Sequence, residues 1–319
     1  MKARYVISIG LLLLSAGSSS AQDDQPALHD RVPQATSLLG NPLVAGQPSA
    51  ELVERFERRK AAYDAEPDDA DKLIWYARFL AYQGDYLAAI ETYTRGIDRF
   101  PRDPRMYRHR GHRYITIREF DKAIADMDRA IGLIADQPNQ IEPDGMPNAK
   151  NIPISTLHGN IYYHKGLAHY LKNELPSALS AYQNCLDLKT NDDNTVSATH
   201  WIYMILRRMG KEEAAQQSLL NINQQMKIIE NFSYHRACLF YKGELSLQQI
   251  TRPDDEAESP ADDALRYAVA NWILYNGKTA EAQTALEQLV AGEVWQSFGH
   301  IAAEADLARL GLQETESRP

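Results

Sequence analysis

The sequence predicts an all-α protein, an α-solenoid of stacked antiparallel helical hairpins, and three observations carry that reading. First, a helix signature recurs. Ala89-Ile90, Tyr93 and Gly96-Ile97 return as Ala123-Ile124, Met127 and Ala130-Ile131, then as Ala178-Leu179, Tyr182 and Cys185-Leu186. Weaker copies follow at Ala215, Leu219 and Ile222 and at Ala282, Leu286 and Leu289. The intervals of 34, 55, 37 and 67 residues are one period, one plus 21, one plus three, and two less one. A period of about 34 belongs to helix–turn–helix repeats. Second, apolar residues three and four apart give each helix one apolar face, and small residues at matching places let paired helices approach. Third, one hairpin cannot bury such a face alone, so neighbours must stack and the outermost elements act as caps.

The elements follow in order. Lys2 and Arg4 precede the apolar run Val6 to Leu14, and Ser19-Ser20-Ala21 offers small residues for cleavage. This pattern predicts a signal peptide over residues 1–21 and an exported protein, periplasmic or secreted. The apolar run is shorter than the roughly 20 residues of a membrane-spanning helix, so no integral membrane segment is expected after cleavage. Cleavage moves the formal net charge from −9 to −11. Residues 22–49, rich in Pro, Gly, Ser and Gln, read as a flexible lead-in. The helical array occupies residues 50–312, with the helix Glu51 to Tyr63 as N-terminal cap. Clear repeat units fall at about 70–103, 104–135 and 159–192, and degenerate ones at about 196–228, 229–250 and 263–291. Val294 to Leu310 reads as the C-terminal cap, spanning residues 294–310, and residues 313–319 as a tail.

The first unit, "LIWYARFLAYQGDYLAAIETYTRGIDRFP", resembles the tetratricopeptide repeat family. Ala77 stands where that family wants a small residue, Gly84-Asp85-Tyr86 forms the inter-helix turn, Ala89 and Tyr93 pack between helices, and Pro101 ends the unit. The second unit matches through Gly111, Tyr114, Phe120, Ala123 and Ala130, and the third through Gly166, Leu175, Ala178 and Tyr182. The resemblance covers residues 70 to 291 with one insertion and implies a right-handed superhelix whose first helices line a concave binding surface.

Two segments break the repeat. Residues 136–156, "DQPNQIEPDGMPNAKNIPIST", carry four prolines where the third unit should begin, so no regular helix fits. Ile141, Met146, Ile152 and Ile154 suggest a loop packed on the solenoid through apolar contacts. Residues 251–263, "TRPDDEAESPADD", read as a solvated acidic linker.

Net acidity and export argue against nucleic-acid binding, which needs local Lys and Arg to neutralise phosphates. Cys185 and Cys238 fall on non-adjacent helices and read as small buried hydrophobes, not a bridge. No metal site and no cofactor are expected. His109 and His112 lack supporting ligands in their helix, and the neighbouring arginines repel a cation. No catalytic residue is assigned, because no nucleophile elbow, His-Glu-x-x-His or paired-carboxylate motif occurs.

What stands out is "YRHRGHRYI", residues 107–115, in an acidic chain. Helical spacing groups Arg105, Arg108, His112 and Ile115 on one stripe. The resemblance places that stripe on the inner surface, with Arg78 and Tyr82 in the first unit and Tyr163 and Tyr170 in the third. His200, Met204 and Arg207 continue it in the fourth unit. These residues predict a groove for a protein or peptide segment of acidic or C-terminal carboxylate character. Tyr and Arg bring large contact area and directional donors, and arginine grips carboxylates bidentately. Arg110 faces the partner helix, where the repeat pattern prefers Leu, and so requires an acidic or carbonyl partner.

The expectation is therefore a non-enzymatic protein–protein interaction scaffold. Two alternatives remain open. One is a small-ligand protein or enzyme with a site between the Pro-rich insertion and the groove, using His112 or His200. The other is a structural subunit of an envelope assembly, contacting its partners through the convex face or a terminal cap.

Overall fold

A computed structural model describes residues 32–250 and 261–316. The predicted signal peptide, most of the acidic linker and the last tail residues lie outside the described residues. Two hydrogen-bonded pieces, β1 (Ala35–Thr36) and β2 (Pro42–Leu43), form an antiparallel hairpin ahead of the first helix, α1 (Ala50–Ala65). Five helical hairpins follow. They are α2 (Ala70–Tyr82) with α3 (Tyr86–Arg99), α4 (Pro104–Thr116) with α5 (Phe120–Ile134), and α6 (Leu157–Leu171) with α7 (Leu175–Asp187), then α8 (Asp192–Arg208) with α9 (Glu212–Ser218), and α10 (Phe232–Tyr241) with the single turn α11 (Leu247–Ile250). The sixth pairs α12 (Ala261–Tyr275) with α13 (Thr279–Val290), and α14 (Phe298–Glu316) ends the array. The protein is all-α apart from the short hairpin and has the tetratricopeptide-like solenoid fold.

Local chemistry sets each helix boundary. Asp69, Asp85 and Asp103 accept hydrogen bonds from the first free N–H groups of α2, α3 and α4, and Pro104 occupies a first position where its missing N–H costs nothing. Every turn between paired helices uses the same device. Gly84, Arg118, Asn173, Gly210, Gly243 and Gly277 all have positive φ. The N–H after each returns to the carbonyl five residues back, as from Asp85 to Leu80 and from Glu119 to Tyr114. This is the Schellman turn, in which a left-handed residue ends the helix and satisfies its last carbonyls. Four of these six positions are glycine, whose missing Cβ makes the conformation unstrained.

Packing follows the small-residue pattern. A Cβ on Gly111 would sit 2.7 Å from Met127, and one on Gly166 would sit 2.7 Å from the Tyr182 ring. Ala77, Ala89, Ala123, Ala130 and Ala178 are buried at the helix crossings. Arg110 finds its acidic partner in a bidentate pair with Asp126, at 2.8 and 2.7 Å, and bonds Thr94 as well. Cys185 and Cys238 are free and buried.

Three features differ from the sequence expectation. Residues 32–49, expected to be a flexible lead-in, are tied down. Leu43 and Ala45 join the core of the first repeat, and Val44 O accepts a 2.8 Å hydrogen bond from Trp295 Nε1. The expected C-terminal cap starts later, at Phe298, and continues to Glu316. It also does more than cover the preceding hairpin. Trp295 packs edge-on against Tyr86 of the first unit, and α14 touches α6, α12 and α13. Finally, the last residues expected in the acidic linker begin α12, where Asp263 accepts a 2.7 Å bond from Ser297 Oγ.

Arg118 shows what holds this closure. A non-glycine residue at a left-handed position costs of the order of 1 kcal/mol. Its guanidinium offsets that cost by binding Glu304 of α14 at 3.1 Å, the Trp295 carbonyl at 2.9 Å and the Thr116 carbonyl. The pair is almost fully buried, and Glu304 also accepts from the Leu38 N–H at 3.2 Å. Truncating one member strands the other in a dry site, so Arg118→Ala is expected to cost about 3–5 kcal/mol by urea unfolding. Arg118→Gly should cost about 1 kcal/mol less, because glycine relieves the turn. Equal losses would show that turn strain plays no part.

Candidate functional site

The first helices α2, α4, α6 and α8 each touch the next first helix as well as their own partner, so their inward faces form one continuous surface. The Arg–His stripe of α4 lies on it. Arg105 stays near its outer end, bonded to Asp103 at 2.9 Å and paired with Asp71. Arg108 is 9% exposed and pairs with Glu142 of the insertion at 3.0 Å. It also donates to His109 Nδ1 at 2.9 Å. A guanidinium can only donate, so the His109 proton sits on Nε2, the atom 3.6 Å from the other Glu142 oxygen. His109 lies parallel to the Tyr93 ring at 5.6 Å.

One turn further, His112 meets His164 of α6 at 4.3 Å between ring centres, with Phe298 of α14 at 5.5 Å. His164 donates through Nδ1 to the Asn160 carbonyl at 2.6 Å. Burial, reinforced by the Arg108 guanidinium, holds His109 and His164 well below the usual imidazole value. Burial and Arg113 do the same for His112. All three rings are therefore neutral at physiological pH. Tyr163 accepts from Trp201 Nε1 at 2.8 Å and donates to Tyr234 at 3.0 Å.

These residues line a half-open pocket of about 270 Å³ between the first helices, the base of the insertion and α14. Arg108, His112, Asn160, Tyr163 and Glu230 are among its walls. Among the described residues, Arg108 Nε is buried without a hydrogen-bond partner. Among the described residues no three His, Cys, Asp or Glu side chains converge as a metal site, and no helix is long and apolar enough to cross a membrane.

Of the residues expected to line the groove, Arg108, His112 and Tyr163 line this pocket and Arg78 and Tyr82 meet the insertion, whereas Tyr170, His200 and Met204 belong to the core. Tyr170 bonds the Tyr267 hydroxyl at 2.7 Å, His200 lies against Tyr234 and Tyr241, and Met204 is fully buried. The reason is that α8 is covered by α10 and α12, and α14 packs on α6. Arg207 is held aside over the Tyr275 ring and by Glu212 at 2.9 Å.

Arg55, Glu142 and Asn160 were missed. Arg55 sits in a helix assigned to capping, and Glu142 in a segment without periodicity. The insertion packs through polar groups, not the apolar contacts expected of it. Ile141, Met146 and Ile152 stay 62%, 55% and 47% exposed, and Ile154 alone of the four is buried.

Residues 57–104 and 77–139 match the family model of the tetratricopeptide repeat. No curated protein matches this chain. Among solved structures, the chain is similar to a tetratricopeptide repeat protein from Parabacteroides merdae, at 14% identity over 80% of this chain and 93% of that one, with a TM-score of 0.48. It is also similar to YrrB, described as a TPR protein with an unusual peptide-binding site, at 15% identity over 81% and 99%, with a TM-score of 0.42. A third similar structure is the MamA protein, at 17% identity over 62% and 87%, with a TM-score of 0.41.

The buried histidines make a measurable claim. Burial pushes His200 down to about 3. The unfolded chain takes up that proton below about pH 6.5 while the folded chain does not, so stability is full above that value and falls as pH drops towards 3. Lowering pH from 7 to 5 should cost about 2 kcal/mol from this residue alone. Urea unfolding of wild type and His200→Gln at both pH values checks it. An unchanged pH dependence in the variant would remove His200 from the account.

Proposed function

We propose that this chain, which matches the tetratricopeptide repeat model over residues 57–104 and 77–139, is a protein–protein interaction scaffold that holds a segment of a partner protein on the inner face of α2, α4 and α6, without catalysing a reaction. The observation that carries this reading is the pocket where Arg108, His112 and Tyr163 meet, with the Arg108 side chain among its walls. A guanidinium binds carboxylates through paired N–H donors, and its attraction is strengthened where water is excluded. The fitting ligand is an acidic side chain or a chain-terminal carboxylate. Neutral His112 and His164 add ring surface without repelling the arginine. Recognition is by a preformed surface, which limits the ordering cost of binding.

Affinity capture from envelope extracts with wild type and Arg108→Glu/His112→Glu tests the site. The double variant should lose the partners that wild type retains, with circular dichroism confirming that it is still folded. Recovery of the same partners by a folded double variant would end the proposal.

The pocket volume of about 270 Å³ also supports a second reading, a small carboxylate ligand at the same place. Saturable thermal stabilisation by free small carboxylates, with no partner captured, would favour it.

The setting we propose is outside the cytoplasm, on the strength of the leader pattern in residues 1–21. Intact mass of the protein from the native host should show a mature chain beginning at Gln22, and a retained Met1 would refute cleavage.

A further inference from the structure

The insertion is fastened at its base and then runs outward over the arginines. Its two ends pair through an antiparallel bridge at Ile141 and Thr156, with Glu142 N–H bonding the Ser155 carbonyl at 3.0 Å. From there residues 142–146, Glu-Pro-Asp-Gly-Met, contact four helices. The Glu142 carboxylate meets Arg108 of α4 and accepts from Asn160 of α6. The Pro143 carbonyl accepts from Arg78 of α2 at 2.8 Å. The Gly145 carbonyl accepts from Arg55 of α1 at 2.8 Å, and the Met146 sulfur lies 3.4 Å from the same guanidinium. Gly145 passes so close to α2 that a Cβ there would fall 2.0 Å from the Tyr82 hydroxyl.

The receiving surface is arranged independently of the segment lying on it. Arg78 stacks on Trp75 at 4.5 Å, Arg55 on Phe79 at 5.2 Å, and Arg59 on Trp75 at 4.4 Å. Aromatic support fixes guanidinium planes, and Arg78 is held further by donating to the Tyr82 hydroxyl at 3.3 Å, which leaves its Nη1 for the segment. The segment is held at its middle by polar contacts to these edges, while Met146 stays largely in solvent. Asp144 brings a second acidic group, its carboxyl raised by burial, with one oxygen buried and, among the described residues, without a hydrogen-bond partner. A strap packed for stability would bury its apolar residues. This one presents carbonyls and carboxylates to a row of arginines, as an extended acidic peptide would.

We propose that residues 142–146 are an internal ligand, occupying the face formed by Arg55, Arg78, Tyr82 and Arg108, and that the natural partner is an extended acidic segment of similar chemistry that displaces them. This rests on the reading of the inner face as a protein-binding surface, and it adds both the partner class and a closed resting state. A partner then binds with an apparent affinity reduced by the fraction of molecules whose strap is open.

The test uses the full chain and a labelled peptide of residues 138–148, followed by fluorescence polarisation. Gly145→Ala should push the strap off Tyr82 while leaving every arginine in place, and Glu142→Gln weakens it by charge alone, so one variant serves if the other misfolds. Both should bind the peptide about tenfold tighter than wild type or better. Adding Arg78→Ala to either should abolish the gain. Equal affinity in wild type and both strap variants, or no binding by any of them, would overturn the internal ligand. Neither result touches the scaffold reading, which falls only if a folded Arg108→Glu/His112→Glu protein keeps its captured partners.

Discussion

The structure depends on the closure of a helical stack by its own last helix. Repeat arrays leave an apolar face at each end and an inner surface along their length. Here the buried Arg118–Glu304 pair draws α14 back to the second hairpin, and Trp295 carries the contact on to the first. Arg208 and Arg309 share Asp306 on the same helix, and Tyr267 donates to it at 2.8 Å. The C-terminal helix is therefore pinned at Glu304, Asp306 and Arg309 by buried charges that need their partners. The amino-terminal hairpin is held in the same way, through Val44 and Leu38.

That closure redistributes the residues available for binding. In an open solenoid every first helix would contribute to one long groove. Covering α8 with α10 and α12, and setting α14 against α6, turns Tyr170, His200 and Met204 into core and leaves the face of α1, α2, α4 and α6. The remaining face is small, rich in arginine and already bridged by an acidic strap. Specificity can arise there because each guanidinium is positioned by a ring or a neighbouring helix before any partner arrives, which keeps the ordering cost low.

The same surface explains why a basic helix is tolerated in an acidic chain. Arg105 and Arg110 are matched with aspartates of their own or adjacent helices, and Arg108 with the insertion. Among the arginines of α4, Arg108 is the one in the pocket wall. The histidines beside it are kept neutral, so their bulk fills space without adding charge. The cluster in "YRHRGHRYI" thus divides into packing at Gly111, structural pairing at Arg110, and a pocket wall at Arg108 and His112, where we propose recognition.

The helical-hairpin repeat, its first turn at Gly84 and the packing residues of the clear units were legible in the sequence because they repeat. A small residue at each helix crossing and a left-handed residue at each turn are local demands, met by local chemistry. The stripe Arg105, Arg108 and His112 followed from helical spacing for the same reason. Which part of the stripe stays accessible did not. Arg118 meets Glu304 across 186 residues, and Arg55 meets Gly145 across 90, without a period to announce either contact. Local propensity and periodicity determined the hairpins and the inward faces of their helices. Only tertiary packing decided which inward faces are buried, because burial depends on what distant segments dock there, and a buried ion pair is recognisable only when both partners are in place.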